Sequence, residues 1–585
     1  MLKDFFVTGD LHSAALVIDG SVHWLCMPRF DSDPIFARVL DRNGGHFSIE
    51  AEGYSRNTSY IKDTAVLEHR FKKDGAEFTV VDYMLPRPIE ECARHVFVRK
   101  IKGIRGRNIP KFVFVPTRDY AREPLEFEQD GTELRARKGD DDILLTLPQG
   151  TGIHRRGSDY LLEAEIAEGE EKQLVLEYSV NGSCTGDGED HEDEVISFWR
   201  DWIGKGRFVE RYRDTLVRAA INLKLLQFYP SGGLVAAATT SVPVEMGGMR
   251  NWDYRYVWIR DAAFTLYGFH VLGYEEEAER FFRFLQDAVR EEDVKVLYTI
   301  DGEEGPPERT LDYLEGYRHS KPVRIGNQAG TQFQLDAYGS IIDAYYFAQK
   351  RGIEITGEDA AIIRRMVEHI ERDWMRKDSG IWEMQLPEQH YTYSKVMAWV
   401  GADRGSRMCD VLGIDKETKV RWEELAREIE AWIWENCYDE DKETFTMHPE
   451  TREVDASTLL FVLLQFLDKH DPKTPGIIAN TAKELITDTS LVYRYVCDDG
   501  LPGRDGAFVL CSFWLISAWA IIEDTDRALE LFEDFEGYLS RTGLISEEID
   551  PSNHDYRGNL PQAFSHLGYI MSAYYLDRYL SRKNR

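Results

Sequence analysis

FVLCSFWLISAWAIIEDTDRALELFEDFEGYL, residues 508–539, decides the fold. Its first half, 508–522, is apolar on every side of a helix. Its second half, from Ala528, alternates apolar residues with Glu and Asp. A helix apolar all round must be buried, whereas an amphipathic one lies at a surface. The short link EDT makes the two antiparallel neighbours. The same pairing recurs upstream. The helical period predicts twelve helices, at about 209–228, 261–272, 274–291, 331–349, 358–375, 392–411, 415–437, 455–468, 475–488, 507–522, 524–539 and 562–580. Even-numbered ones, such as STLLFVLLQFL (457–467) and AFSHLGYIMSAYY (563–575), are apolar almost all round. Most odd-numbered ones, such as YEEEAERFFRFLQDAVREE (274–292) and WEELAREIEAWIWEN (422–436), carry a charged face. Six buried helices inside six surface helices make an (α/α)6 barrel, expected over residues 209–585.

The chain before the barrel has a different period. HFSIEAEG, AEFTVVDYM, HVFVRKIKG, KFVFVP and KQLVLEYSV alternate apolar and polar residues, the pattern of half-buried strands. Asp19-Gly20, Asp74-Gly75 and Asp130-Gly131 lie between such runs and read as hairpin turns. Residues 1–182 are therefore expected to form an antiparallel β-sandwich. SCTGDGEDHEDE (183–194) is acidic and poor in core residues, so 183–208 reads as a linker with a short amphipathic helix, VISFWRDWIG.

Bulk properties bound the function. The chain has 585 residues, 43% of them hydrophobic, and 71 basic against 103 acidic residues give a net charge of −32. A nucleic-acid partner needs a basic surface, so it is excluded. The seven cysteines form no CxxC pair, which speaks against zinc sites and disulfide frameworks. Neither a secretory signal nor an apolar run of membrane-spanning length is present. These features lead us to expect a soluble cytoplasmic protein without metal or cofactor, with no membrane partner, and with a homo-oligomer allowed.

Chemistry concentrates in the links. Even-to-odd links are mostly short, whereas odd-to-even links are long and hold Trp, Tyr, Arg, Gly and carboxylates. In an up-and-down ring all odd-to-even links share one end, at the N-termini of the inner helices. MRNWDYRYVWIRD (249–261) offers the flat faces of Trp252, Tyr254, Tyr256 and Trp258, and the donor–acceptor pair Arg260 and Asp261. SGIWEMQLPEQHYTYSK (379–395) holds Glu383 among aromatic residues, a surround that raises a carboxyl pKa as a general acid requires. GLISEEIDPSNHDYRGNLPQ (543–562) holds Glu547 and Glu548, either able to act as a base on water. Two carboxylates from distant loops facing one pocket are what glycosidic bond hydrolysis needs.

With these loops assembled, the sequence resembles glycoside hydrolase family 15, the glucoamylase family, and its prokaryotic branch in particular. The resemblance spans LHSAALVIDGSVHWLCMPRFDS (11–32), TTSVPVEMGGMRNWDYRYVWIRDAAFTLYGF (239–269), RIGNQAGTQFQLDAYG (324–339), RYVCDDGLPGRDGAFVLCSFWL (494–515) and SEEIDP (546–551). It implies that Glu383 is the general acid and Glu547 the general base. It further implies that Trp258 and Trp382 wall the sugar site, and that Tyr254 supports the developing cation. Arg260, Asp261, Arg494 and Glu548 would then contact sugar hydroxyls. Two positions depart from the fungal glucoamylases: Met384 stands where they bind the leaving sugar with a glutamate, and Glu548 where they have glutamine. The implied reaction is exo-acting, inverting hydrolysis of an α-glucoside, with carboxylates roughly 6.5–9.5 Å apart to admit water. Maltodextrins are the first expected substrate, α,α-trehalose the second and isomalto-oligosaccharides the third. A phosphorylase would replace Glu547 by an anion pocket, and a non-catalytic sugar-binding protein would have lost one carboxylate.

Overall fold

The computed structural model describes residues 2–89, 92–180, 182, 184–186, 188–290 and 294–583. Ser183 and Asp187 of the expected linker, and Glu291 at the end of one expected helix, lie outside these residues. Among the described residues, the strands before Asn181 form two eight-stranded antiparallel sheets, accompanied by a two-stranded ribbon. One sheet runs from Phe6–Gly9 to Gly152–Arg156. The other runs from Glu128–Asp130 through Glu171–Val180 and Arg94–Arg105 to Ser55–Tyr60. Asp19 and Gly20 both take left-handed backbone angles, φ 52° and 69°. That turn matches the twist of the strands it joins, Ala14–Ile18 and Ser21–Cys26. Phe47, Phe78, Phe97, Phe112 and Phe114 fill the space between the sheets. The strand Ala76–Met84 is buried at every position. Phe78, Val80 and Met84 face the inter-sheet core, while Val81 and Tyr83 join a second core shared with the helices.

The helices are α1 Glu192–Gly204, α2 Arg213–Leu226, α3 Ala262–Val271, α4 Glu275–Ala288, α5 Asp336–Lys350, α6 Gly357–Asp373, α7 Thr392–Leu412, α8 Lys416–Cys437, α9 Thr474–Leu485, α10 Val509–Ile521, α11 Thr525–Glu536 and α12 Ala563–Lys583. The inner ring consists of α3, α5, α7, the segment 456–467, α10 and α12, and α12 closes it by packing on α3. Helices α2, α4, α6, α8, α9 and α11 lie outside it, which completes the (α/α)6 barrel. α1 is docked within the segment expected to be a linker: Trp202 stacks on Tyr274 with ring centroids 4.0 Å apart and donates to Glu277 at 2.6 Å. No helix among the described residues is long and apolar enough to cross a membrane.

Two expectations need correction. The helix expected at 455–468 is a 3₁₀ turn over Ala456–Leu460 followed by irregular turns. Phe461 N–H donates to Thr458 and Gln465 N–H to Val462, both three residues back, and Gln465 reverses the chain at φ 61°. Asp455 accepts from the Ser457 hydroxyl at 2.8 Å and the Trp382 indole at 2.5 Å, bonds that fix the segment's start by tertiary contact. The second correction concerns α2, an outer helix that is nonetheless buried from Leu216 to Leu226. The sandwich covers its outer face. Arg218 donates to the Thr64 carbonyl at 2.9 Å and lies 3.4 Å from the centroid of the Tyr60 ring.

The sandwich also grips the first loaded loop. The Trp24 indole donates to the Ala238 carbonyl at 2.8 Å. Arg255, 1% exposed, is held by Asp253 at 2.7 and 2.9 Å, by the Tyr120 hydroxyl at 2.8 Å and by the Ser32 carbonyl at 3.1 Å. Asp119, Tyr120 and Ala121 are three consecutive non-glycine residues at φ 48°, 52° and 64°. Such backbone costs of order 1 kcal/mol or more per residue and persists only where surrounding contacts enforce it. Replacing Arg255 by Ala leaves Asp253 buried and unpaired. We expect a loss of about 3–5 kcal/mol, read by urea denaturation.

Candidate active site

Each loaded loop precedes an inner helix, so the six N-terminal ends meet on one face. In the first loop, Tyr254, Tyr256 and Trp258 alternate along an extended segment and share a side. Ala236 and Ala237 N–H groups donate to the Tyr256 and Tyr254 carbonyls, and Val257–Trp258 pairs with Leu297–Tyr298. Tyr256 and Trp258 are each 4% exposed and pack on Val296, Leu297 and Ala329. Tyr254 and Trp258 meet edge to face with centroids 5.2 Å apart.

These two rings join the two glutamates. The Trp258 indole donates to Glu383 Oε1 at 2.9 Å, and the Tyr254 hydroxyl donates to Glu547 Oε1 at 2.6 Å. Glu383 sits at the end of a tight turn at φ 54°, strained for a non-glycine residue. Its Oε1 also accepts from Arg260 at 2.8 Å, so the purely apolar surround expected from sequence gains a guanidinium on one side. Glu547 is 1% exposed, and its Oε2 accepts from the Asn559 N–H at 3.2 Å. Gly558 makes room for it, since a Cβ there would come within 2.2 Å of Oε2. Burial pushes the Glu547 carboxyl up to about 7, against the opposing hydrogen bond from Tyr254 and the nearby charge of Arg494.

Two adjoining cavities lie over this group. The inner one, about 540 Å³, is lined by Arg260, Asp261, Phe264, Tyr393 and Trp514 among others. The outer one, about 710 Å³, is lined by Arg250, Trp252, Glu308, Arg324, Gln328 and Gln332 among others. Tyr254, Trp382, Glu383 and Arg494 line both, so Glu383 stands at the junction. Six of the nine residues singled out in the sequence thus face the space. Trp258, Glu547 and Glu548 line neither cavity. Trp258 lies behind Tyr254 and reaches the site through its N–H, and Glu547 meets the cavity wall at Tyr254. Glu548 departs furthest from the expected contact with sugar hydroxyls. Neighbouring residues of an extended segment point to opposite sides, so Glu548 turns away to accept from the Gly506 N–H at 2.7 Å, with Arg494 at 3.5 Å.

Several buried groups escaped the sequence reading. Arg250 clamps Asp499 at 2.6 and 2.8 Å and Asp505 at 2.8 Å, tying the first loop to the loop before α10, and Arg494 pairs with Asp505 from the other side. Asp261 and Asp336 flank Arg260. Burial pushes Asp261 well above the usual carboxylate range and Asp336 up to about 6, against the pull of Arg260. Neither oxygen of Asp336 has a hydrogen-bond partner among the described residues. Asp378 accepts from Ser394 at 2.7 Å and from the Leu335 N–H at 3.0 Å, and burial pushes it up to about 7. A lone Asp at the head of an apolar helix is the one sequence signal for Asp336, and it does not say what lies opposite.

With the site's geometry in hand, similarity to known proteins becomes decisive. The profile of glycosyl hydrolases family 15 matches residues 210–574, and that of a trehalase-like N-terminal region matches residues 6–196. The chain belongs to glycosyl hydrolases family 15. It is a glycoside hydrolase. A trehalase of Mycobacterium tuberculosis is 33% identical to it, over 99% of this chain and 90% of the relative. A trehalase of Thermoplasma volcanium is 32% identical, over 98% and 93%. The fold is similar to that of a bacterial glucoamylase solved in complex with acarbose, with a TM-score of 0.72, 14% identity, and coverage of 98% of this chain and 94% of the other.

The buried acids of this family-15 site make stability depend on pH. Asp336 has a folded pKa near 6, above its ordinary 3.8, so the folded state holds a proton that the unfolded chain releases. Stability from this group is full below about 4 and falls as pH rises through about 6. Asp336→Asn is therefore expected to raise the melting temperature at pH 8, with the gain vanishing at pH 4, as measured by thermal unfolding across that range.

Proposed function

We propose that this enzyme is an inverting α,α-trehalase. The observation that carries the substrate is the end-to-end similarity to curated trehalases, which extends through the N-terminal region as well as the barrel. It favours trehalose over the maltodextrins first expected. The geometry supports a disaccharide: two adjoining cavities meet at Glu383, one for the glucosyl unit attacked and one for the unit that leaves. Met384 lines the leaving side, where the fungal glucoamylases use a glutamate.

In this reading Glu383 is the general acid because it stands where the scissile oxygen would lie. Its contact with Arg260 strengthens as its proton passes to that oxygen, because the carboxylate takes up the negative charge. Trp258 orients the carboxyl through the indole N–H. Glu547 is the general base, and a pKa near 7 suits that task at neutral pH. Tyr254 orients it and faces the sugar ring as positive charge develops. Arg260, Asp261 and Arg494 hold hydroxyls in the inner cavity, with Trp382 as its wall. Glu548 acts through Arg494, not on the sugar. Water attacks on the face opposite the leaving oxygen, and atoms balance as trehalose plus water gives two glucose molecules.

Glu383→Gln and Glu547→Gln should each cut trehalose turnover by at least ~10²-fold, the lower range for acid–base catalysis, with the fold retained by circular dichroism. On α-glucosyl fluoride, whose leaving group needs no proton, Glu383→Gln should recover activity and Glu547→Gln should not. The reverse pattern would exchange the two roles.

Inversion at the attacked carbon releases one β-glucose and one α-glucose from each trehalose. Proton NMR of the first-formed products should therefore show the two anomers in equal amounts. Two α-anomers would refute inversion. Faster glucose release from maltotriose than from trehalose would refute the substrate.

A further inference from the structure

A cavity larger than either catalytic one also lies near the barrel axis. It opens on the opposite face, at the floor of the barrel, and has a solvent-open volume of about 2110 Å³. Arg260, Phe264 and Tyr393 line both it and the inner catalytic cavity, forming the wall between them. Its lining is basic in a chain that is strongly acidic overall. Besides Arg260 it includes Lys350, Arg351, Arg404, Arg407, Lys469 and Arg578, against the carboxylates of Asp343 and Asp468.

Ion pairing divides these cations into two groups. Arg404 and Arg407 are matched by Asp343 and Asp403, and Lys469 by Glu523. Lys350, Arg351 and Arg578 have no carboxylate in ion-pair contact among the described residues. Each lies over an aromatic ring instead: Lys350 5.1 Å from the centroid of Tyr346, Arg351 5.1 Å from Phe347 and Arg578 5.8 Å from Tyr579. Complementing a helix C-terminus explains Lys350 and Arg351, at the end of α5. It does not explain Arg578, which lies within α12.

Two of these cations, Arg351 and Arg578, share the cavity with a pair of phenols. Tyr267 of α3 stacks on Tyr575 of α12 with centroids 5.9 Å apart, and both line the cavity. Both Arg351 and Arg578 act on the Tyr267 hydroxyl, each pulling its pKa down against burial. Phe347 meets Tyr267 edge to face at 5.4 Å. Unmatched guanidinium groups beside hydroxyl donors suit a phosphoryl group. Flat aromatic faces next to them suit the C–H faces of a sugar ring, and the cavity exceeds what an inorganic anion would fill.

We infer that the barrel-floor cavity is a binding site for a phosphorylated monosaccharide, separate from the catalytic pocket. Arg351 and Arg578 take the phosphoryl group, and Tyr267, Phe347 and Tyr575 take the ring.

Isothermal titration of the full-length protein with glucose 6-phosphate, orthophosphate and glucose tests this. Glucose 6-phosphate should bind saturably, and at least about tenfold more tightly than either of the other two. The Arg351→Ala/Arg578→Ala double variant should weaken that binding by at least about tenfold, with melting temperature and unliganded trehalose turnover unchanged. Three outcomes would each overturn the site: no saturable binding of glucose 6-phosphate, equal affinity for orthophosphate, or binding undiminished in the double variant. The last would place the sugar phosphate in the catalytic pocket instead.

Discussion

Two rings 5.2 Å apart hold the active site together. Trp258 donates to one glutamate and Tyr254 to the other, so the carboxylates of two distant loops are set by a single extended segment. That segment cannot wander. Its backbone is paired with residues 236 and 237 and with Leu297–Tyr298, and the far side of its aromatic stripe is packed as core. Mechanistic separation follows from the same arrangement. Glu383 opens onto both cavities, while Glu547 stands beside the cavity wall at Tyr254, where burial pushes its carboxyl up to about 7.

The sandwich contributes more than bulk. Through Arg255 it holds Asp253, the immediate neighbour of Tyr254, and through Trp24 it holds the strand-like segment on which the aromatic stripe lies. The strained turn at Asp119–Ala121 is kept in place by this grip. Asp261 on the inner cavity and Asp336 and Asp378 behind it are all pushed upward by burial, so the site carries acids whose ionised form the fold does not favour. Arg260 is the common counter-charge of Asp261, Asp336 and Glu383, whereas Lys395 faces Asp378, and Arg260 also forms part of the wall toward the barrel-floor cavity. One guanidinium therefore borders both the inner catalytic cavity and the barrel-floor cavity.

Much of this was legible before any coordinates. The apolar run at 508–522 beside the charged face of 528–539 settles which helices lie inside, because burial is the only way to satisfy a helix apolar on all sides. Loop composition and the family resemblance point to both glutamates and to Tyr254, Arg260, Asp261, Trp382 and Arg494. Less was legible where pattern and packing disagree. Residues 457–467 have a helical composition, yet the chain winds as a 3₁₀ turn only to Leu460 and then as irregular turns, with Asp455 tied to Ser457 and Trp382 at its start. α2 is buried like an inner helix because the sandwich covers its outer side.

The amino-acid sequence by itself determined the alternation of buried and surface helices and the end of the barrel at which the loaded loops collect, and it named the two candidate carboxylates. Periodicity and turn chemistry are local, and one chain states them directly. Tertiary structure alone decided which side of each loop faces the cavity. Glu547 and Glu548 are adjacent and chemically alike, yet one meets Tyr254 and the other Gly506. It also decided which cations are left unpaired: among the described residues Arg404 finds carboxylates and Arg578 does not. Those outcomes depend on residues far away in sequence, brought within hydrogen-bonding distance only when the ring closes.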